Sequence, residues 1–122
     1  MEAHLYRANL QKANLMRSHL RGAYLFAANL SATNLSSTDL SWTNLGKANL
    51  TDADLTSANL RGADLTGADL TGAVLTRACL RGANLNRANL TDANLYAADL
   101  REIRDHRAVL KGAVMPNGTI QF

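Results

Sequence analysis

The apolar positions of the chain recur every fifth residue. Leucine stands at each multiple of five from Leu5 to Leu100, twenty times without a gap. Two residues before each leucine is a small side chain: Ala in sixteen cases, Thr at 33, 38 and 43, and Ser at 18. The residue between is Asn or Asp in fifteen of the twenty. On an α-helix a step of five residues advances about 500°, so successive leucines fall about 140° apart and form no stripe. On a straight strand an odd period sends them to alternate faces. The chain must therefore turn once per pentad, bringing every leucine to a common axis.

Right-angle turns after each five-residue side give a four-sided coil of twenty residues. Stacked coils share backbone hydrogen bonds at about 4.8 Å spacing. Leucine and the small residue face inward and the Asn/Asp between them faces out, because side chains alternate along an extended segment. The last two residues of each pentad form the corner. Six of the eight glycines take the second corner position (Gly22, Gly62, Gly67, Gly72, Gly82 and Gly112), where a type II turn needs positive φ. The other corners carry Arg, Lys, Ser, Asp, Ala or Trp42, which suit type I, so a mixture of turn types is expected.

Five regular coils span residues 1–100, on the order of 24 Å of axis. Residues 101–122 are expected to form an irregular final coil and cap. In that stretch Asp105 occupies a leucine position, where burial without a partner would be costly. The phase survives it, since Leu110 and Met115 remain on multiples of five. A turn is expected at Pro116-Asn117-Gly118, with Thr119–Phe122 pairing as a last strand or covering the end.

Residues twenty apart stack into columns. Arg21, Ser41, Arg61, Arg81 and Arg101 share one corner, and Arg7, Lys47, Arg87 and Arg107 the next. The face between them carries His4, Tyr24, Asn44, Asp64, Asn84 and Arg104, so this side holds nine of the thirteen basic residues. It reads either as a solvated edge or as a site for an acidic partner. Trp42 lies beside Arg21 and Arg61 and has the means to stack on one of them. Tyr6, Met16, Tyr24 and Phe26 point outward from the first two coils, either shielding the first coil or forming an interaction patch. Stacked asparagines such as Asn9, Asn29 and Asn49 are expected to form hydrogen-bonded ladders.

Composition narrows the chemistry. The chain has 122 residues, 47% hydrophobic but only 5% aromatic, with a formal net charge of +3. Its single cysteine, Cys79, excludes an intrachain disulfide and a Cys-rich zinc site. No apolar run is long enough for an ordinary transmembrane helix and no secretory signal layout is present, so a cytoplasmic protein is expected. The motifs of nucleotide, zinc-protease and serine-hydrolase sites are absent. No cationic neighbour is placed to lower the pKa of Cys79, and a filled rod offers no obvious pocket. Catalysis, a cofactor and a metal are therefore not expected.

The tandem A-(N/D)-L-x-x unit, regular over residues 3–100 and weak over 108–117, resembles the signature of the pentapeptide-repeat family. The ending LKGAVMPNGTIQF is similar to the tails of cyanobacterial members. The resemblance implies an all-β, right-handed quadrilateral β-helix acting as a non-enzymatic binding scaffold. Its partner is expected to be a protein, with Arg21, Arg61, Arg81, Arg101, Trp42, Tyr6, Tyr24 and Phe26 as the candidate surface. Four arginines and few exposed aromatics make a weak nucleic-acid footprint. The family's quinolone-resistance members bind DNA gyrase by resembling DNA. That alternative requires an acidic surface, because DNA carries about one charge per 1.7 Å of axis, and it conflicts with a net positive chain.

Overall fold

A computed structural model describes residues 3–122. The chain winds as a right-handed quadrilateral β-helix with four faces, each a ladder of parallel bridges between residues twenty apart. Face 1 runs His4–Tyr24–Asn44–Asp64–Asn84–Arg104, and face 2 runs from Asn9 through Asn49 and Asn89 to Val109. Face 3 runs from Asn14 through Asp54 and Asn94 to Val114, and face 4 from His19 through Asn59 and Cys79 to Asp99. The register is the one that the leucine spacing dictates. Leu25 through Leu95 and the alanines beside them are buried, at 0–2% exposure for the leucines. Complete burial of each such leucine stabilises by roughly 1.5–3 kcal/mol.

Where Asn or Asp precedes the leucine, each amide of an interior pentad finds an acceptor, which explains the composition of the unit. In the pentad 58–62, Ala58 donates to the Leu55 carbonyl across the corner (3.0 Å) and Asn59 to Thr38 of the preceding coil (3.0 Å). Leu60 donates to Cys79 (2.7 Å) and Gly62 to Arg81 (3.0 Å), both on the following coil. The fifth amide, that of Arg61, is left to the Asn59 side chain, whose Oδ1 accepts it at 3.1 Å. The same bond forms at each Asn or Asp of this position, from Gln11 donating to Asn9 at one end of the stack to Arg101 donating to Asp99 at the other. Where the first corner residue is Ser or Thr, its hydroxyl adds a second bond to that oxygen, as from Thr56 to Asp54 at 2.6 Å. The stacked asparagines thus bond to their own corners rather than to one another, contrary to the expected ladders. A short side chain ending in an acceptor, two residues before the orphan N–H, is what the site demands.

The turn mixture is also corrected. Every second corner residue from Arg7 to Gly112 has positive φ, between 54° and 76°, and sixteen of these residues are not glycine. Type I geometry is therefore absent at these positions. The cause lies between coils: the second corner N–H must reach the next coil's carbonyl, as Arg7 does to Phe26 at 3.0 Å. This bond recurs at the described corners of the first five coils and outweighs the local preference, worth roughly 1–2 kcal/mol per residue, for negative φ. Glu102 and Arg107 of the last coil keep the same φ as a continuation of that winding.

Threonine replaces the small inward residue at 33, 38 and 43 without orphaning its hydroxyl. Thr43 donates to the Leu40 carbonyl at 2.7 Å and Thr33 to Leu10 at 2.9 Å. Among the described residues no buried polar side-chain atom lacks a partner.

Coil 6 forms on three sides only, through Arg104, Val109 and Val114. After Met115 the turn runs one residue long: positive φ falls on Gly118 (86°) rather than on residue 117. The chain then reverses, and Ile120 pairs antiparallel with Val114. Gly112 donates to Gln121 (2.6 Å) and Gln121 to Ala113 (2.9 Å), so the tail protects this edge as a strand. Asp105 keeps its place in the winding but lies exposed at the open end.

Candidate binding surface

Face 1 and the two corners that flank it carry the expected surface residues. Arg21, Arg61 and Arg101 are exposed and Arg81 is half-buried on one corner. Two of the four are neutralised. Arg81 Nη2 meets Glu102 Oε1 at 3.1 Å. Arg101 grips Asp99 through two bonds, Nε to Oδ1 at 2.9 Å and Nη2 to Oδ2 at 2.6 Å. That fork, together with the Arg101 amide bonded to the same carboxylate, holds Asp99 down at about 2 from 3.8. Asp39, beside Arg21, is also lowered, chiefly by the Ser41 hydroxyl that donates to it. Arg21 and Arg61 form no ion pair with any described residue and are the open cations of this corner.

Trp42 does not stack on either arginine. Its six-membered ring rests on Gly62 of the following coil, in the space that a Cβ would fill. The indole stays 56% exposed between Arg21 and Arg61. The enabling signal was in the sequence: the residue twenty positions on is glycine, so the ring has a flat bed of backbone.

At the other corner of face 1 Phe26 uses the same device, with its ring over Gly46, where an added Cβ would stand 2.9 Å from Cδ2. Tyr6 stacks on Phe26 at 6.0 Å between centroids, with ring planes 11° apart. Tyr24, from face 1, lies 6.1 Å from Tyr6 and 6.4 Å from Phe26. Arg7 completes the cluster with its guanidinium 5.4 Å from the Tyr6 ring centre, a cation–π contact worth about 0.5–1 kcal/mol at an exposed site. Met16, 45% exposed, stands at the corner between faces 3 and 4 and does not join them. Phe26 is half-buried between Tyr6 and Gly46, while Tyr6 and Tyr24 present rings to solvent at 52% and 38% exposure.

One side of the rod thus combines nine cations, four of the six aromatic residues and, among the described residues, three acids: Asp64, Glu102 and Asp105. The other faces carry the remaining four cations against six acids. Among the described residues no group of His, Cys, Asp and Glu side chains is placed to hold a metal ion. Among the described residues no helix is long and apolar enough to cross a membrane. A cleft does exist, contrary to expectation, at the open end of the stack.

A family model for pentapeptide repeats matches residues 3–41, 33–72 and 68–104, in eight copies. The chain belongs to the pentapeptide-repeat family. A pentapeptide repeat protein from the thylakoid lumen of Arabidopsis thaliana is 33% identical, with a TM-score of 0.77 over 83% of this chain and 70% of that one. Another, from the cyanobacterium Cyanothece 51142, is 35% identical, with a TM-score of 0.61 over 79% of this chain and 58% of that one. QnrB1, a plasmid-mediated fluoroquinolone resistance protein, shares the fold at a TM-score of 0.83 but only 23% identity, over 88% of this chain and 55% of its own. Among curated proteins no sequence matches significantly.

Proposed function

We propose that this pentapeptide-repeat protein is a non-enzymatic interaction module that holds an acidic segment of a protein partner along face 1. The observation that carries the reading is the one-sided gathering of cations and exposed aromatic rings on a rigid rod. Arg21 and Arg61, unpaired and flanking Trp42, would engage carboxylates. Tyr6 and Tyr24 would pack against the apolar parts of the segment. A repeat solenoid presents such a surface without loop rearrangement, so little ordering entropy opposes binding. The DNA-mimic alternative is not supported, because the distinctive surface has the opposite sign to DNA.

The test uses a fluorescent oligoglutamate peptide and the intact protein. Wild type should bind it with an affinity that falls as salt rises. Arg21→Glu with Arg61→Glu should weaken binding at least about ten-fold, the range of losing two charge contacts. Lys12→Glu with Lys111→Glu, both on the corner between faces 2 and 3, should change it little. Equal losses in the two pairs would mean that only net charge matters and would remove face 1 as the site.

A further inference from the structure

We propose that the open mouth at the C-terminal end of the coil stack is a binding site for a lysine side chain presented by a partner polypeptide. The mouth is a cleft of about 90 Å³, floored by the four leucines of coil 5 and walled by Ile103, Leu110 and Met115, with Asp105 on its rim. Its origin is specific to this chain. Each complete coil places four apolar side chains on the axis, one from each face. Coil 6 supplies only Leu110 and Met115. Its first side carries Asp105 in the leucine position. Its fourth side never forms, because the chain reverses at Gly118 and turns Ile120 outward at 53% exposure. The axis above the coil-5 floor is therefore only partly filled, by Leu110, Met115 and the neighbouring Ile103.

Size and polarity select the occupant. An apolar cavity of about 150 Å³ accepts a benzene ring, so a cleft of about 90 Å³ suits an aliphatic chain and is too small for an aromatic one. Asp105 makes no side-chain hydrogen bond and no ion pair with any described residue. An apolar occupant would press against this carboxylate and strip water from it without return, which is unfavourable. A lysine answers both requirements: its methylene stem lies on leucine while its ammonium emerges at the rim beside the carboxylate. Arg104, His106 and Arg107 flank Asp105 but are exposed outward. They weaken the rim's pull on a cation, so a single side chain should bind only in the millimolar range. This site takes a ligand of the opposite charge from the one proposed for face 1 and is built on the coil-5 and coil-6 interior rather than on Arg21, Arg61 and Trp42, so it does not rest on the function proposed above.

The experiment is a methyl NMR titration of the intact protein with acetyl-Gly-Lys-Gly-amide, its norleucine counterpart and its glutamate counterpart. The lysine peptide should shift the methyls of Leu85, Leu90, Leu95, Leu100 and Ile103 saturably. It should bind about three-fold more tightly than the norleucine peptide, the size of a partly exposed ion pair. In Asp105→Asn, with its methyl spectrum otherwise retained, the two should bind alike. The glutamate peptide should leave these methyls unmoved, so that failure here and failure at face 1 are told apart. Equal binding of lysine and norleucine to wild type would overturn the proposal in favour of a purely apolar cleft. Absence of saturable shifts at the mouth, or shifts confined to other faces, would overturn it outright.

Discussion

At the scale of single residues, the Asn/Asp before each leucine carries the least obvious role. Alternation alone places it outward, where any polar residue would serve. The structure shows that it closes the amide accounting of the pentad by accepting the corner N–H two residues on, as Asp99 does from Arg101 at 3.1 Å. At Asp99 the Arg101 guanidinium adds its fork, and the carboxyl sits at about 2 rather than 3.8. A carboxyl lowered in the folded state favours folding above its unfolded value, and that contribution is lost as pH falls from about 3.8 through about 2. In Arg101→Gln the side-chain fork is gone while the backbone bond remains. The Asp99 carboxyl, followed by ¹³C NMR, should therefore titrate higher than in wild type but still below 3.8. A titration unchanged by the substitution would mean that the fork is not populated in solution. The leucine and alanine roles were legible from spacing, because only one backbone path buries that period. The Asx role was not, because it depends on where the corner amide points.

At the scale of the corner and its neighbours, the glycines have two different uses. Gly62 and Gly82 occupy the same corner column, with φ of 66° and 72°. An added Cβ at Gly82 would meet nothing within 4 Å, whereas at Gly62 it would collide with the Trp42 ring. Sixteen non-glycine residues already accept positive φ in this fold, so Gly82→Ala should cost only about 1 kcal/mol. Gly62→Ala should cost more, and should also shift and broaden the emission of the protein's single tryptophan. Chemical denaturation read by circular dichroism gives the first quantity and fluorescence the second. Equal stabilities with identical emission would show that Trp42 does not rest on Gly62. Turn type escaped the sequence reading because corner residues were judged by local propensity, while the deciding bond runs to the next coil. The glycine bed was visible in principle, since Trp42 and Gly62 are one coil apart. Ion pairing was not, since the spacing that stacks Arg81 and Arg101 does not set the side-chain conformations that bring them to Glu102 and Asp99.

For the whole molecule, stability and recognition are divided between inside and outside. The inward leucines form one continuous column, so a defect in any coil interrupts contact between the repeats on either side of it. The outward positions, by contrast, accept Arg, Thr, Asp or aromatic side chains at equivalent corners without altering the winding. This division lets face 1 become basic and aromatic while the other faces stay mildly acidic. It also makes a sharp prediction for a neighbouring pair of positions. Leu60 is completely buried, at 0% exposure, whereas Thr56 is a half-buried corner residue only four positions earlier. Leu60→Lys removes a leucine from the column and drives an ammonium into it. The cost should exceed the 2–5 kcal/mol typical of truncating a buried leucine and unfold the central coils at room temperature. Thr56→Lys gives up the hydroxyl bond to Asp54, worth about 1 kcal/mol, and leaves the amide bond to the same oxygen in place. That variant should keep the β-rich far-ultraviolet spectrum and unfold cooperatively a few degrees below wild type. Similar melting curves for the two variants would mean that the inward register is not the one that holds the stack together.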